Sequence, residues 1–190
     1  ITPADANDPG VIEQVRALRP DFLFSFYYRN MLGAELLALP RRGAYNMHGS
    51  LLPKYRGRVP VNWAVIMGER ETGATLHQMV AKPDAGGIVD REAVPIGPED
   101  TAVEVFVEVT KAAERMLARA LPELIAGSAR ITPQDLNLGS YYGGRKPGDG
   151  RIDWTKSACE VHNLVRGVAP PYPGAFTLIG ALKLRILRTR

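Results

Sequence analysis

The chain has 190 residues, 45% hydrophobic and 23% charged. That is an ordinary globular composition, long enough to bury a core and short enough for one domain, or one domain and the beginning of another. A net charge of +4 suits an anionic ligand, and the lone Cys159 excludes an internal disulfide framework and fits a reducing compartment. No apolar run approaches the roughly 20 residues needed to cross a bilayer. The opening ITPADANDPG lacks the basic and apolar regions of a signal peptide. A cytoplasmic location without membrane insertion is therefore expected. With no initiator Met at one end and an alternating ALKLRILRTR at the other, both ends read as cut from a longer chain.

Asp8-Pro9 is a cap followed by a first-turn proline, and the helix it opens runs through VIEQVRALR to Pro20. DFLFSF (21–26) is a short aromatic-rich buried strand, AELLAL (34–39) a short helix, and 43–48 a second strand ending at Gly49. Pro60 opens a helix through VNWAVIM. Residues 72–80 and 87–96 read as two strands joined by the tight loop AKPDAGG. Thr101 and Glu104 form a capping box for a long helix with apolar residues at Val105, Val109, Ala112, Met116 and Leu117, which Pro122 is expected to kink or end. Residues 128–151 are rich in Gly, Pro and polar residues and read as a linker. A further helix starts after Ser157, and APPYPGAF breaks the chain before a final strand. Alternating strands and helices predict an α/β fold with a mainly parallel, Rossmann-like sheet, followed by the start of a small C-terminal β subdomain. The division expected is 1–127 for the core and 128–190 for the remainder.

The most informative stretch is Asn46-Met47-His48-Gly49-Ser50-Leu51-Leu52-Pro53. Residues i and i+2 of a strand share a face, so Asn46 and His48 project together. They do so at the carboxyl end of a strand, where open α/β sheets place ligands. An amide beside an imidazole can hold one oxygen and move a proton; a strand that simply ends in polar residues gives the same pattern. Asp84 sits before Gly86-Gly87, in a turn that lets the backbone approach a ligand closely, although such a turn is commonly no more than a hairpin. A carboxylate near His48 would raise the imidazole pKa above about 6.5. Lys54, Arg56 and Arg58 place three cations within five residues, either an anion site or a solvated loop. His77 alternates with apolar neighbours and reads as structural; His162 has no obvious partner. The spacing of His and Cys gives no metal site, and there is no phosphate-binding Gly-rich loop and no nucleophile elbow.

Asn46-x-His48 followed by GSLLPKYRG, then Thr72-Gly73 and Asp84-Ala85-Gly86, resembles the 10-formyltetrahydrofolate-dependent formyltransferases over nearly the whole chain from Pro20. FSFYYR (24–29), KYRGR (54–58) and Asn62-Trp63 resemble one branch most closely, the formyltransferase domains of bifunctional polymyxin-resistance proteins. Those domains formylate UDP-4-amino-4-deoxy-L-arabinose on the route to modified lipid A. The resemblance implies 10-formyltetrahydrofolate as donor, no metal, a nucleotide-sugar acceptor rather than nucleic acid, and a C-terminal OB-like subdomain. It implies that Asn46 orients the formyl carbonyl and steadies an oxyanion, that His48 handles the proton, and that Asp84 raises the pKa of His48. Arg58 falls on a position that binds folate or substrate. Asn30, Met31 and Leu32, with Val80, Ala81, Lys82, Pro83 and Asp84, fall on segments lining the folate pocket. The family's first βα units would precede Ile1, and Tyr172 stands where the branch often has Trp. Methionyl-tRNA formylation, hydrolysis of the formyl donor, and folate binding without turnover remain alternatives.

Overall fold

In the computed structural model, residues 3–189 are described. Helix α1 (Pro9–Leu18) starts as its sequence predicts: the Asp8 side chain accepts from the Gly10 N–H and Pro9 occupies the first turn. Four strands form the central sheet: β1 (Leu23–Phe26), β2 (Ala44–His48), β4 (Glu71–Gln78) and β5 (Ile88–Pro95), in the order β1-β2-β4-β5. The α/β class holds. The parallel pairing within the sheet is β1 with β2, whereas β2–β4 and β4–β5 run antiparallel. The short connection between β4 and β5 allows only a hairpin, because a parallel partner would need a crossover of a dozen residues or more.

Short α2 (Ala34–Leu37) leads into β2, and the two-residue β3 (Arg56–Gly57) precedes α3 (Pro60–Ile66). Helix α4 (Ala102–Ala126) has the expected capping box, with the Glu104 carboxylate reaching back to the Thr101 N–H. Val105, Val109, Ala112 and Met116 are buried at helical spacing against the sheet, and Leu117 lies at the edge of the same core. Pro122 does not end this helix. The proline removes one intrahelical bond near the C-terminus, while buried Leu124 keeps the last turn on the core and Arg42 Nη2 donates to the Leu124 carbonyl (2.6 Å). Gly127, at φ +74°, terminates it.

The stretch expected to be a linker folds back onto the core. Thr132 bridges to Ile88, and β6 (Tyr141–Tyr142) pairs in parallel with β3. Helix α5 (Ala158–Gly167) packs on α3, where Asn62 Nδ2 donates to the Gly167 carbonyl at 2.8 Å. A Cβ at Gly167 would lie 2.4 Å from Ile66 Cγ1, so glycine is what permits this approach. The final strands β7 (Ala175–Ile179) and β8 (Leu182–Ile186) make an antiparallel hairpin, and a small second core collects Ile152, Val165, Val168 and Ala175. His162, without an evident partner in the sequence, contacts the Thr189 hydroxyl (2.8 Å) and the Pro98 carbonyl (3.0 Å). No helix among the described residues is long and apolar enough to cross a membrane.

Candidate active site

Asn46 and His48 stand two residues apart at the end of β2 and share a face. In the antiparallel register of β2 with β4, Asn46 lies opposite His77. The pairing of β4 with β5 shifts register between Leu76 and His77, with Val89 of β5 as the extra residue, an irregularity of the kind found next to functional sites. The loop after β4 returns Asp84 to the same spot in a left-handed conformation (φ +49°). That backbone is stabilised from outside the loop: Gln134 Nε2 donates to the carbonyls of Asp84 (3.1 Å) and Gly86 (2.5 Å).

The four polar side chains form one network. His48 Nε2 lies 2.8 Å from the Tyr55 carbonyl, and His77 Nδ1 lies 2.8 Å from the Gln78 carbonyl. A carbonyl only accepts, so each of these ring nitrogens carries the hydrogen. The free nitrogens then face Asp84 Oδ1, His48 Nδ1 at 3.6 Å and His77 Nε2 at 3.4 Å. Asn46 Nδ2 donates to His77 Nε2 (3.2 Å) and, over a longer 3.5 Å, to Asp84 Oδ1. The other carboxylate oxygen, Oδ2, accepts from the Gly57 N–H at 2.8 Å. One oxygen of Asp84 is thus anchored to β3, and the other meets three groups able to exchange protons or hydrogen bonds.

Burial sets the charge state. Burial pushes the His48 pKa down, the Asp84 charge and the Tyr55 carbonyl push it up, and burial prevails, so the imidazole sits below its ordinary 6.5. The sequence-based expectation of a net rise is therefore corrected: the carboxylate acts in the expected direction and is outweighed. Burial also pushes the Asp84 carboxyl up. The His77 and His48 rings, each of which favours the carboxylate when its nitrogen facing Asp84 carries a proton, and the Gly57 N–H together outweigh it and hold the group below 3.8. The arrangement keeps an ionised carboxylate beside a neutral imidazole whose Nδ1 can take up a proton.

The network opens into a cleft of about 940 Å³. Asn30, Met31, Leu32, Arg58, Val80 and Pro83 line it with Asn46, His48 and Asp84. Ala81 and Lys82 belong to the expected set but are not among the residues lining the cleft; both are exposed. His77 is the member that sequence reading assigned to structure. It is 1% exposed, as a structural histidine would be, yet its ring closes the network. Arg145, Tyr141 and Tyr172 also reach the cleft from beyond residue 127.

Residues 1–121 match the family described as "Formyl transferase", and residues 145–190 match "Formyl transferase, C-terminal domain". The chain belongs to the formyl transferase family. It is therefore a formyl-transferring enzyme, and the Asn46-x-His48 and Asp84 motifs lie within the first matched region. Solved structures share its fold. A sugar N-formyltransferase from Shewanella sp FDAARGOS_354 superposes with a TM-score of 0.83 at 20% identity, covering 97% of this chain and 75% of that one. An N-formyltransferase from Helicobacter canadensis gives 0.69 at 24% identity, over 82% and 57% of the two chains. A methionyl-tRNA formyltransferase from Clostridium thermocellum gives 0.74 at 19% identity, over 99% and 78%.

Proposed function

We propose that this formyltransferase moves a formyl group from 10-formyltetrahydrofolate to the amine of a nucleotide sugar. UDP-4-amino-4-deoxy-L-arabinose is the acceptor that the FSFYYR, KYRGR and Asn62-Trp63 segments favour, which would place the reaction in lipid A modification and polymyxin resistance. The observation that carries the reading is the network of Asn46, His48, His77 and Asp84 facing a cleft large enough for two substrates. Support for the ligand classes comes from the Helicobacter canadensis enzyme, whose structure is a complex with folinic acid and dTDP-3-aminofucose.

In the reaction proposed, the acceptor amine attacks the formyl carbon and a carbon–nitrogen bond forms. The carbonyl electrons move to oxygen, and the amine proton passes to His48 Nδ1. The tetrahedral intermediate then collapses: the carbonyl re-forms, the bond to folate N10 breaks, and N10 takes the proton. Asn46 suits the oxyanion because its 3.5 Å bond to Asp84 is the weaker of its two and can be exchanged for the developing oxygen. Asp84 steadies the imidazolium that forms. Asn30 to Leu32 and Val80 to Asp84 would hold the donor. The core would comprise 1–127 and the OB-like remainder 128–190, with β6 and Arg145 reaching back across that division.

A formyl-transfer assay with three acceptors tests the proposal: UDP-4-amino-4-deoxy-L-arabinose, methionyl-tRNA and water. Formylation of the amino sugar is expected. Robust formylation of methionyl-tRNA with none of the sugar would overturn the acceptor, and release of formate alone would mark a hydrolase.

A further inference from the structure

Three arginines, Arg29, Arg58 and Arg145, line the cleft, and none of them takes part in an ion pair among the described residues. The carboxylate facing the cleft from the network is already committed to two histidines and the Gly57 N–H. Arg145 is half-buried, whereas Arg29 and Arg58 are exposed and Arg58 Nη2 donates to the Arg29 carbonyl at 3.1 Å. A half-buried guanidinium without a carboxylate suits an anionic ligand.

Two of these arginines are brought together by the β3–β6 pairing. The Arg58 N–H donates to the Tyr142 carbonyl at 2.9 Å, which fixes the start of the following 143–147 loop. Trp63 Nε1 holds that loop through the Gly143 carbonyl at 3.0 Å. Gly144 lies against the Arg58 side chain, so closely that an added Cβ would be 3.4 Å from Arg58 Cδ. The next residue, Arg145, lays its guanidinium over the Trp63 ring, 4.6 Å from the centroid. Its Nη2 donates to the Asp149 carbonyl at 2.7 Å, leaving the rest of the fork uncommitted. Arg145 also borders a smaller cavity of about 120 Å³, which shares Val59, Asn62 and Tyr172 with the main cleft and has Lys146 on its wall. On the inner side, Arg58 is one residue from Gly57, whose N–H anchors Asp84.

We infer that Arg58 and Arg145 form a phosphate subsite beside the reaction centre, with Arg145 as the residue that selects an amino sugar carrying a phosphate at its anomeric position. The inference rests on the amino-sugar reading above and specifies its substrate class. A planar guanidinium already stacked on an indole loses little freedom when it binds, and its fork matches two phosphate oxygens. Lysine would supply charge without the fork or the stack. The subsite runs outward from Asp84 through Arg58 to Arg145 and Lys146. A phosphate joined to the sugar would extend along it, and a second phosphate would continue toward the smaller cavity. Arg145 is held by the Asp149 carbonyl and the Trp63 ring and makes no hydrogen bond to the donor-lining segments 30–32 and 80–84 among the described residues, so donor binding should be independent of Arg145.

Calorimetric titration with UDP and with folinic acid, alongside acceptor kinetics, tests this on the full chain and on Arg145→Gln and Arg145→Lys. Loss of a charge-assisted phosphate contact predicts about 10- to 100-fold weaker UDP binding and a similar rise in acceptor KM for Arg145→Gln. Partial recovery is expected in Arg145→Lys, and unchanged folinic acid affinity in both reports an intact fold. An amino sugar lacking phosphate should be used equally poorly by all three proteins. If the parent protein binds no UDP, or Arg145→Gln binds it as tightly as the parent, the subsite is refuted even where sugar formylation is observed. UDP binding that depends on Arg145, with no formylation of any amino sugar, would uphold the subsite and overturn the acceptor reading instead.

Discussion

His77→Leu separates a structural histidine from a working one. Leucine fills a comparable volume at a position that is 1% exposed, so the core stays packed. What disappears is the acceptor for Asn46 Nδ2 and a neighbour of Asp84 Oδ1. A buried donor left without a partner costs about 1–3 kcal/mol. If that cost falls on the orientation of Asn46 in the transition state, turnover drops about 5- to 150-fold. His77→Gln offers an amide oxygen to Asn46 and should recover part of the loss. The assay is kcat with both substrates saturating, with folinic acid binding and thermal unfolding as controls for fold. A His77→Leu protein that folds, binds folinic acid and turns over at the parental rate would refute a role in positioning Asn46.

Acid should destabilise the protein in two stages. The folded-state pKa of His48 lies below 6.5, so the unfolded chain binds more protons in the window beneath 6.5, and stability falls as pH drops into it. Asp84 is depressed below 3.8, so its contribution is present above that value and is lost as pH falls through the folded pKa. Urea midpoints that stay flat from about pH 8 to about pH 5 would contradict the first stage. Asp84→Asn removes the charge that partly offsets burial of His48; it should lower kcat and move the acid limb of the pH–rate profile to lower pH, and an unmoved limb counts against coupling of the two groups. Gly57→Ala should lose about 2 kcal/mol or more of stability together with activity, because φ is +100° there and a Cβ would lie 2.2 Å from the Tyr142 carbonyl oxygen. Since the same residue's N–H holds Asp84, a stable and fully active variant would contradict the anchoring role given to it.

Local signals in the sequence were sufficient for much of the fold. Asp8-Pro9 and Thr101/Glu104 each start a helix where capping chemistry requires it, Pro60 starts one as a first-turn proline without a side-chain cap, and the i, i+2 spacing of Asn46 and His48 puts both on one face. The losses arose where long-range pairing decides. Whether a buried strand histidine is inert depends on what lies opposite it, and the Asn46–His77 pairing is a matter of register between strands 31 residues apart. A usable signal was present: His77 precedes the Asp84 loop on the same strand, so a hairpin that delivers Asp84 must bring His77 near it. Residues 128–151 read as linker because Gly, Pro and polar residues dominate, yet a two-residue pairing with β3 suffices to tie Tyr142 to Arg58 and carry Arg145 to the cleft. The sign of the His48 shift was not legible either, because sequence conveys the neighbour's charge and not the depth of burial.

These features converge on a single oxygen. Two backbone carbonyls, those of Tyr55 and Gln78, fix the tautomers of two histidines, so that each ring turns its remaining nitrogen toward Asp84 Oδ1. Groups that act through one shared partner do not contribute independently. His48→Ala removes the proton acceptor and should abolish most turnover while leaving folinic acid affinity intact. With that acceptor gone, the positioning supplied by His77 has little left to serve. The double variant His48→Ala/His77→Leu should therefore be scarcely slower than His48→Ala alone, although His77→Leu by itself costs up to two decades. Losses that multiply in the double variant would show that His77 acts on the reaction independently of His48, and the common role assigned to Asp84 would fail with that result.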